Sequence, residues 1–414
     1  MVKTKNTCLI GLQYGDEGKG SFSHFLSSEY DVFVRYNGGG NAGHTVFVDE
    51  KKIVTHFLPV GIIKEDSKVV LGNGMVINPK ALILEIEQVA ESLNKTFEEI
   101  SSKIFISNKA HIITSKMIEL DAEREKSQKI GTTKTGVGPA YESKANRTGM
   151  TIGQALSQKP LSSELKPFKK RLGARVFSTE ILINQWSEDG LSLFFEGAQG
   201  VLLDLDFGQY PYVTSSNCIP SSVGSGAGFD PRKINNVIGV IKPYTTRVGA
   251  GPFPTKMSKK EDEDFRQRGL EFGATTGRPR LCGWLDLPSI RYAIQIAGVD
   301  EILISKMDLI INMSKIKVCV GYSLNGYIID GFSDFPCSED WSKISPIYED
   351  WLITDFISNL KQTLGVPVTI TSWGPNSSDK IFTPNHTGFN SFKNMFSNLS
   401  NIKSIMKRAI TTKR

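Results

Sequence analysis

The run Thr7-Cys-Leu-Ile-Gly-Leu-Gln-Tyr-Gly-Asp-Glu-Gly-Lys-Gly-Ser21 sets the reading of the whole chain. Residues 7–12 are a short apolar run expected as a strand, and a helix is expected to open near Lys19-Gly20-Ser21. A strand, a glycine-rich loop, a lysine and a helix N-terminus bring backbone N–H groups and the positive end of a helix dipole to one point, which suits a phosphate. The spacing is not the strict G-x-x-x-x-G-K-[ST] pattern, which would need glycine at 13 and Ser or Thr at 20. A tight turn with no ligand is the plain alternative. The acids Asp16 and Glu17 weigh against it, because inside an anion-binding loop they destabilise unless a metal ion or a proton transfer uses them. An aspartate beside phosphates is a natural Mg2+ ligand and general base.

Outward from this run, short apolar and β-branched segments alternate with amphipathic ones. Strands are expected over 7–12, 31–35, 68–71, 103–107, 193–196, 236–241, 301–305, 315–321 and 367–371, and helices over 79–92, 115–126, 288–297 and 348–363. Apolar strands without in/out alternation, separated by helices, predict an α/β fold: a large, mostly parallel central sheet flanked by helices. In the 414 residues no repeat and no Pro- or Ser-rich linker divides the body. One catalytic domain over 1–375 and a basic tail over 376–414 are expected. The tail carries seven Lys or Arg and one Asp, which accounts for the whole +6 of the chain and leaves the body near neutral. Phe389, Phe392, Phe396, Leu399, Ile402, Met406 and Ala409 recur in it at helical spacing, so the tail is expected to hold an amphipathic helix with a basic face.

Several function classes fall away. The five cysteines form no C-x-x-C pair and the five histidines no ligand pair, which argues against a disulfide framework or a zinc site. No apolar run approaches the 18 residues of a membrane span, and the run after Lys3 and Lys5 is too short for a signal peptide. A soluble, cytoplasmic enzyme is the expectation. Nucleic-acid binding would rest on the tail charge alone, so it is not expected.

Other loops add chemistry. Asn41-Ala-Gly-His44-Thr45 follows a strand through Gly38-Gly-Gly40 and offers a second phosphate loop, although a lone His is more often structural. Lys306-Met307-Asp308 directly follows the 301–305 strand. K-x-D there can read guanine, with the carboxylate accepting from N1–H and the amine while the lysine stem covers the ring. Thr275-Thr-Gly-Arg278-Pro-Arg280 presents two guanidinium forks suited to carboxylate or phosphate, or else a solvated basic turn. Glu196, Asp204 and Asp206 are not spaced as a paired-acid hydrolase. In open α/β sheets ligands lie beyond the carboxyl ends of strands, so the glycine loops are expected to share one crevice. The residues alone reach a purine-nucleotide enzyme using GTP with an anionic second substrate.

The runs GDEGKG (15–20), NAGHT (41–45), GTTKTGVGPAYESKANRTG (131–149), FEGAQGVLLDLDFGQYPYVTSSN (195–217), TRVGAGPFPT (246–255), EFGATTGRPR (271–280), GWLDL (283–287) and SKMD (305–308) closely resemble the adenylosuccinate synthetase family, in family order. The resemblance implies a P-loop-NTPase-related α/β fold and a homodimer that joins IMP to L-aspartate with GTP and Mg2+. It implies Asp16 as the base that takes the N1 proton of IMP, His44 as the acid at the transferring phosphates and Gln199 as the holder of the 6-oxyanion. Asp16 and the Gly43 carbonyl are the implied metal ligands.

The same resemblance assigns GTP to Gly15, Glu17, Gly18, Lys19, Gly20 and Ser21, to Gly43, His44 and Thr45, and to Arg280. The guanine end falls to Lys306, Met307 and Asp308 with Ser372, Trp373 and Gly374. IMP is assigned to Asp16, Lys19, Asn41, Ala42, Gly43, His44, Thr133, Gln199, Thr214, Val248 and Arg278, with Arg147 supplied by the second subunit. Aspartate is assigned to Ala274, Thr275, Thr276, Gly277, Arg278 and Arg280. Thr135, Pro279 and Leu281 depart from basic residues common in the family. Two other readings stand beside this one. A 2-aminoadenylosuccinate synthetase acting on dGMP is disfavoured by Asp16, which such relatives replace with a smaller residue. A silent purine-nucleotide-binding regulator is disfavoured because the carried-over catalytic positions are intact.

Overall fold

The computed structural model describes residues 5–48, 51–273, 277–329 and 343–383. Ten strands form the central sheet: β1 (Thr7–Gly11), β2 (Val32–Arg35), β3 (Lys68–Leu71), β4 (Ile104–Ser107), β5 (Val176–Phe177), β6 (Leu193–Glu196), β7 (Asn236–Ile241), β8 (Glu301–Ile304), β9 (Val368–Ser372) and β10 (Lys380–Phe382). Their order is β10-β9-β8-β7-β1-β6-β2-β3-β4-β5. Every pairing is parallel except β9 with β10.

The central strands are apolar on both faces because both faces are covered. On β1, Leu9 packs with Phe22, Leu26, Phe33 and Phe194 on one side, while Cys8 and Ile10 join a larger core with Val34, Phe195 and Leu285 on the other. Truncating Phe22, fully buried under the helix Lys19–Leu26, would cost about 3–5 kcal/mol. The helix Pro79–Ser92 starts where its sequence tells it to. Asn78 caps it by accepting from Ala81 N–H at 3.0 Å, and Pro79 occupies the first turn, where no N–H is needed. Its Leu82, Ile86, Val89 and Ala90 build a third core beneath β3 and β4.

The strands expected over 68–71, 193–196 and 236–241 and the helix over 79–92 coincide with the observed elements, and most others differ only by end residues. The helix expected over 348–363 is a correction. Ile344–Leu352 is a strand, and the helix runs only over Phe356–Leu364. Lys315–Leu324 supplies the reason: it pairs antiparallel with Ile344–Leu352 along nearly its whole length, and that ladder overrides local helical periodicity. These two strands belong to a second sheet with Tyr244–Arg247, Leu281–Asp286 and Tyr327–Ile329. Strand β10 lies past residue 375, so the central sheet extends into the segment expected as a separate tail. The helical stripe over 389–409 falls outside the described residues. No helix among the described residues is long and apolar enough to cross a membrane.

Candidate active site

Six adjacent strands, β9-β8-β7-β1-β6-β2, send their carboxyl ends to the same edge, where ligands sit in an open parallel sheet. The loop after β1 reaches the helix Lys19–Leu26 through Gly15, Asp16 and Gly18, all in the left-handed region at φ 82°, 60° and 90°. Asp16 is the exception that needs explaining, since a side chain there is strained by about 1–3 kcal/mol. Its carboxylate is 30% exposed and lies 2.8 Å from Arg280 Nε. Arg280 is held from behind by Glu271 at 2.5 Å. Glu271 also accepts from Tyr244 OH and Lys242 Nζ. Burial would raise the Glu271 carboxyl, but Lys242 and Arg280 hold it at about 2.

Glu17 does different work from its neighbour. It accepts from Gln13 N–H at 3.1 Å, Gly15 N–H at 2.8 Å and Lys19 Nζ at 2.5 Å, so it braces the loop from inside. Ser305 Oγ, at the end of β8, donates to the Glu17 carbonyl.

His44 begins the strand His44–Val48 and is buried against the first turn of the helix Lys19–Leu26. Gly20 makes that approach possible: a Cβ there would come within 2.8 Å of His44 Cβ. Nδ1 of His44 lies 2.6 Å from Glu196 Oε1. Glu196 also accepts from Ser23 Oγ at 2.5 Å, Val60 N–H at 3.1 Å and Arg35 Nη1 at 3.3 Å. Burial opposes its charge, yet His44, Arg35 and the Ser23 hydroxyl hold Glu196 at about 2. Burial draws His44 below its ordinary value against the pull of Glu196, so the ring is neutral near pH 7. An ionised Glu196 can only accept, which fixes the His44 proton on Nδ1 and leaves Nε2 as the unprotonated ring nitrogen.

Gln199 follows β6 at φ 54°. A methyl on Gly38 would lie 3.3 Å from its Oε1, and one on Gly15 would lie 3.5 Å from its Cα, so it stands between the first two glycine loops. Both amide atoms of Gln199 are buried with no hydrogen-bond partner. Leaving such a group unpaired costs about 1–3 kcal/mol, which marks it as built for a ligand. Asn41 bonds Thr214 Oγ1 at 3.4 Å, and Thr133 bonds Thr135 through their hydroxyls at 2.9 Å. Arg278 donates to the Gly131 carbonyl at 2.9 Å. Gly131 in turn abuts Gly249, next to Val248. The loop at 131–136 therefore touches both the loop at 248–251 and the one at 277–280.

At the other end Lys306, at φ 58°, donates to the Gly269 carbonyl at 2.9 Å, and the Asp308 carboxylate lies beside it at the surface. The parallel pairing of β8 with β9 sets Lys306–Asp308 next to Ser372-Trp373-Gly374. Ser372 Oγ donates to the Gly374 carbonyl at 2.8 Å, and Ser21 Oγ reaches the Pro375 carbonyl at 3.4 Å. Arg147 is exposed at φ 64° at the end of the helix Val137–Ala145 and belongs to no cluster described above. Ala274, Thr275 and Thr276 lie outside the described residues.

Glu196, Arg35 and Glu271 were missed as site residues. The signal available for the first two was a charged residue ending an apolar strand, since β2 closes on Arg35 and β6 on Glu196. Parallel register sets those two side by side.

Comparison with known proteins meets this geometry. A family model described as adenylosuccinate synthetase matches residues 8–172 and 157–352. The chain belongs to the adenylosuccinate synthetase family. It is 40% identical over 373 residues to the adenylosuccinate synthetase of Thermodesulfovibrio yellowstonii, covering 83% of this chain and 86% of that one. It is 37% identical over 430 residues to that of Caldanaerobacter subterraneus, covering 92% and 99%. The structure of fully ligated adenylosuccinate synthetase from Plasmodium falciparum superposes with a TM-score of 0.83 at 33% identity, covering 92% of this chain and all of that one. A cyanophage S-2L succinoaminodeoxyadenylate synthetase shares the fold, with a TM-score of 0.68 at 20% identity over 98% and 99% of the two chains. Of the motifs assigned through the adenylosuccinate synthetase family, those carrying Asp16, residues 41–44, Gln199, residues 306–308 and residues 372–374 follow β1, β2, β6, β8 and β9 at that edge.

Proposed function

We propose that the chain is a GTP- and Mg2+-dependent ligase that joins IMP and L-aspartate through 6-phosphoryl-IMP, giving adenylosuccinate, GDP and phosphate, the first committed step from IMP to AMP. The observation that carries it is the gathering of Asp16, His44 and the unpartnered Gln199 amide at adjoining strand ends in a chain of this family.

Asp16 accepts the N1 proton of IMP, and the charge left on O6 is met by the Gln199 amide N–H. O6 then bonds to the γ-phosphorus of GTP as the bridge to the β-phosphate breaks and GDP departs. The backbone N–H groups of the 15–20 loop and Lys19 hold the phosphates in line. The anionic phosphates draw a proton from solvent onto His44 Nε2, which then donates to them, and Glu196 stabilises the imidazolium that results. The aspartate amine next attacks C6, the C6–O6 bond breaks with phosphate as leaving group, and the amine passes a proton to the departing phosphate. Arg278 and Arg280 orient the carboxylates of the incoming amino acid.

Mg2+ fits this site. It takes one or two protein oxygens and completes its shell with phosphates and water, and Asp16 and the Gly43 carbonyl would supply such a pair. No group of three or more His, Cys, Asp or Glu able to hold a metal occurs among the described residues. When bound, the ion neutralises charge on the transferring phosphates.

Asp308 favours GTP over ATP, and Asp16 leaves little room for the 2-amino group of dGMP. The reading places the enzyme in the cytoplasm as a homodimer, with the exposed Arg147 of each subunit reaching the IMP site of the other. Purified protein with Mg2+, GTP, IMP and aspartate should form adenylosuccinate by chromatography, with none when any one is omitted. Product from dGMP in place of IMP would favour the 2-amino reading. GTP binding without product from any mixture would favour the regulatory one.

A further inference from the structure

Behind the loop that carries Asn41, Ala42, Gly43 and His44 lies a buried carboxylate the mechanism does not use. Glu85 projects from the middle of the helix Pro79–Ser92, where the apolar stripe would otherwise continue, and it is 3% exposed. It accepts four hydrogen bonds from three consecutive backbone N–H groups: His56 at 2.8 Å, Phe57 at 3.1 and 2.9 Å, and Leu58 at 3.0 Å. A carboxylate so placed fixes the turn after the strand Lys51–Thr55 as a rigid unit.

That turn touches the loop at two points. His56 Nδ1 lies 2.7 Å from the Ala42 carbonyl. A carbonyl only accepts, so Nδ1 carries the proton and donates. Gly40 rests directly on the Phe57 ring, where a Cβ would come within 2.8 Å of Cζ. The strand pair carries the same turn to the site, because Thr55 stands opposite His44.

We propose that Glu85 and His56 are positioning residues that set the IMP-binding loop 38–45 from behind: Glu85 clamps residues 56–58, and His56 holds the Ala42 carbonyl so that Asn41, Gly43 and His44 face the substrate. This rests on the IMP reading above. The brace has one donor whose loss a conservative replacement can repair, because an asparagine amide occupies nearly the place of Nδ1.

The test compares wild type, His56→Ala, His56→Asn and Glu85→Gln by steady-state kinetics and by peptide-level hydrogen–deuterium exchange. His56→Ala is expected to raise KM for IMP about tenfold, the scale of one hydrogen bond lost at a binding loop, with KM for aspartate within about twofold of wild type. Exchange in 38–45 should quicken, and His56→Asn should restore most of both. Glu85→Gln should quicken exchange in 56–58 and 38–45 together. Unchanged IMP KM and unchanged exchange in His56→Ala would overturn the brace. So would an asparagine variant no better than alanine, which would reveal a merely structural ring. Should the wild type make no adenylosuccinate, the functional reading fails, while exchange in 38–45 still decides the brace.

Discussion

Asp16, Gln199 and Lys306 adopt a left-handed backbone conformation that glycine would adopt at no cost, and each sits on a loop leaving a central strand. The strain is tolerable where the side chain itself is needed. Replacing Asp16 by Asn keeps the shape and removes the proposed base, so adenylosuccinate formation should fall by about 10²–10⁴ while GTP still binds, as read by turnover and by equilibrium titration. Gln199→Ala removes the buried amide that no protein group satisfies. It should lower kcat by about 10²–10³ and leave thermal stability equal or improved, because an unpaired polar group is also removed. Glu196→Gln tests the charge behind His44. A glutamine has no negative charge to stabilise the imidazolium, so the charged Nε2 donor is lost, kcat should drop and its pH profile should shift to lower pH, with kinetics across about pH 5–9 as the measurement. Asp16 and His44 were legible because their glycine loops are local in sequence. Glu196 was not, since its meaning depends on a register between residues 161 positions apart in the chain.

At the scale of elements, the fit of helix to strand is set by single absent methyl groups. Gly20→Ala would drive a Cβ into His44, pushing the helix Lys19–Leu26 off the sheet or the imidazole off Glu196. A loss of about 1–3 kcal/mol in chemical denaturation is expected, with a fall in kcat out of proportion to it. Elements were legible where one segment's own chemistry decides them: the continuous apolar run Val69-Val70-Leu71 for β3, or Asn78-Pro79 opening a helix. They were not where a distant partner decides. The stretch Tyr348-Glu-Asp-Trp-Leu352 has helical spacing, yet Lys315–Leu324 claims it as a strand, and the second sheet it belongs to went unanticipated.

For the molecule as a whole, buried carboxylates set the response to acid. Glu196 and Glu271 both stand at about 2, well below the ordinary glutamate value of 4.5. A depressed carboxyl contributes its full stability above the unfolded value and loses it as pH falls through the folded one, so the melting temperature should decline from about pH 4.5 downward. Glu271→Gln should flatten that decline in calorimetry. Asp286 runs the other way. Burial raises it to about 6 although Tyr322 OH and Ser289 N–H bond it, so its contribution is complete in acid and is lost as pH rises through 6. Relative to wild type, Asp286→Asn should therefore gain stability from about pH 4 to pH 6 and keep that gain above it.

The order of the central sheet has a temporal side. Strand β6 lies between β1 and β2, although more than 150 residues separate it from both in the chain. A ribosome adding about 5–20 residues per second exposes β1 and β2 long before the strand that must part them. During that interval the two edges destined to receive β6 stand open, each ready to accept some other chain. The nascent protein therefore depends on delay: the N-terminal third has to refuse the closest partner in sight until Glu196 and Gln199 arrive, and a chaperone that shields those edges would act chiefly as a timekeeper.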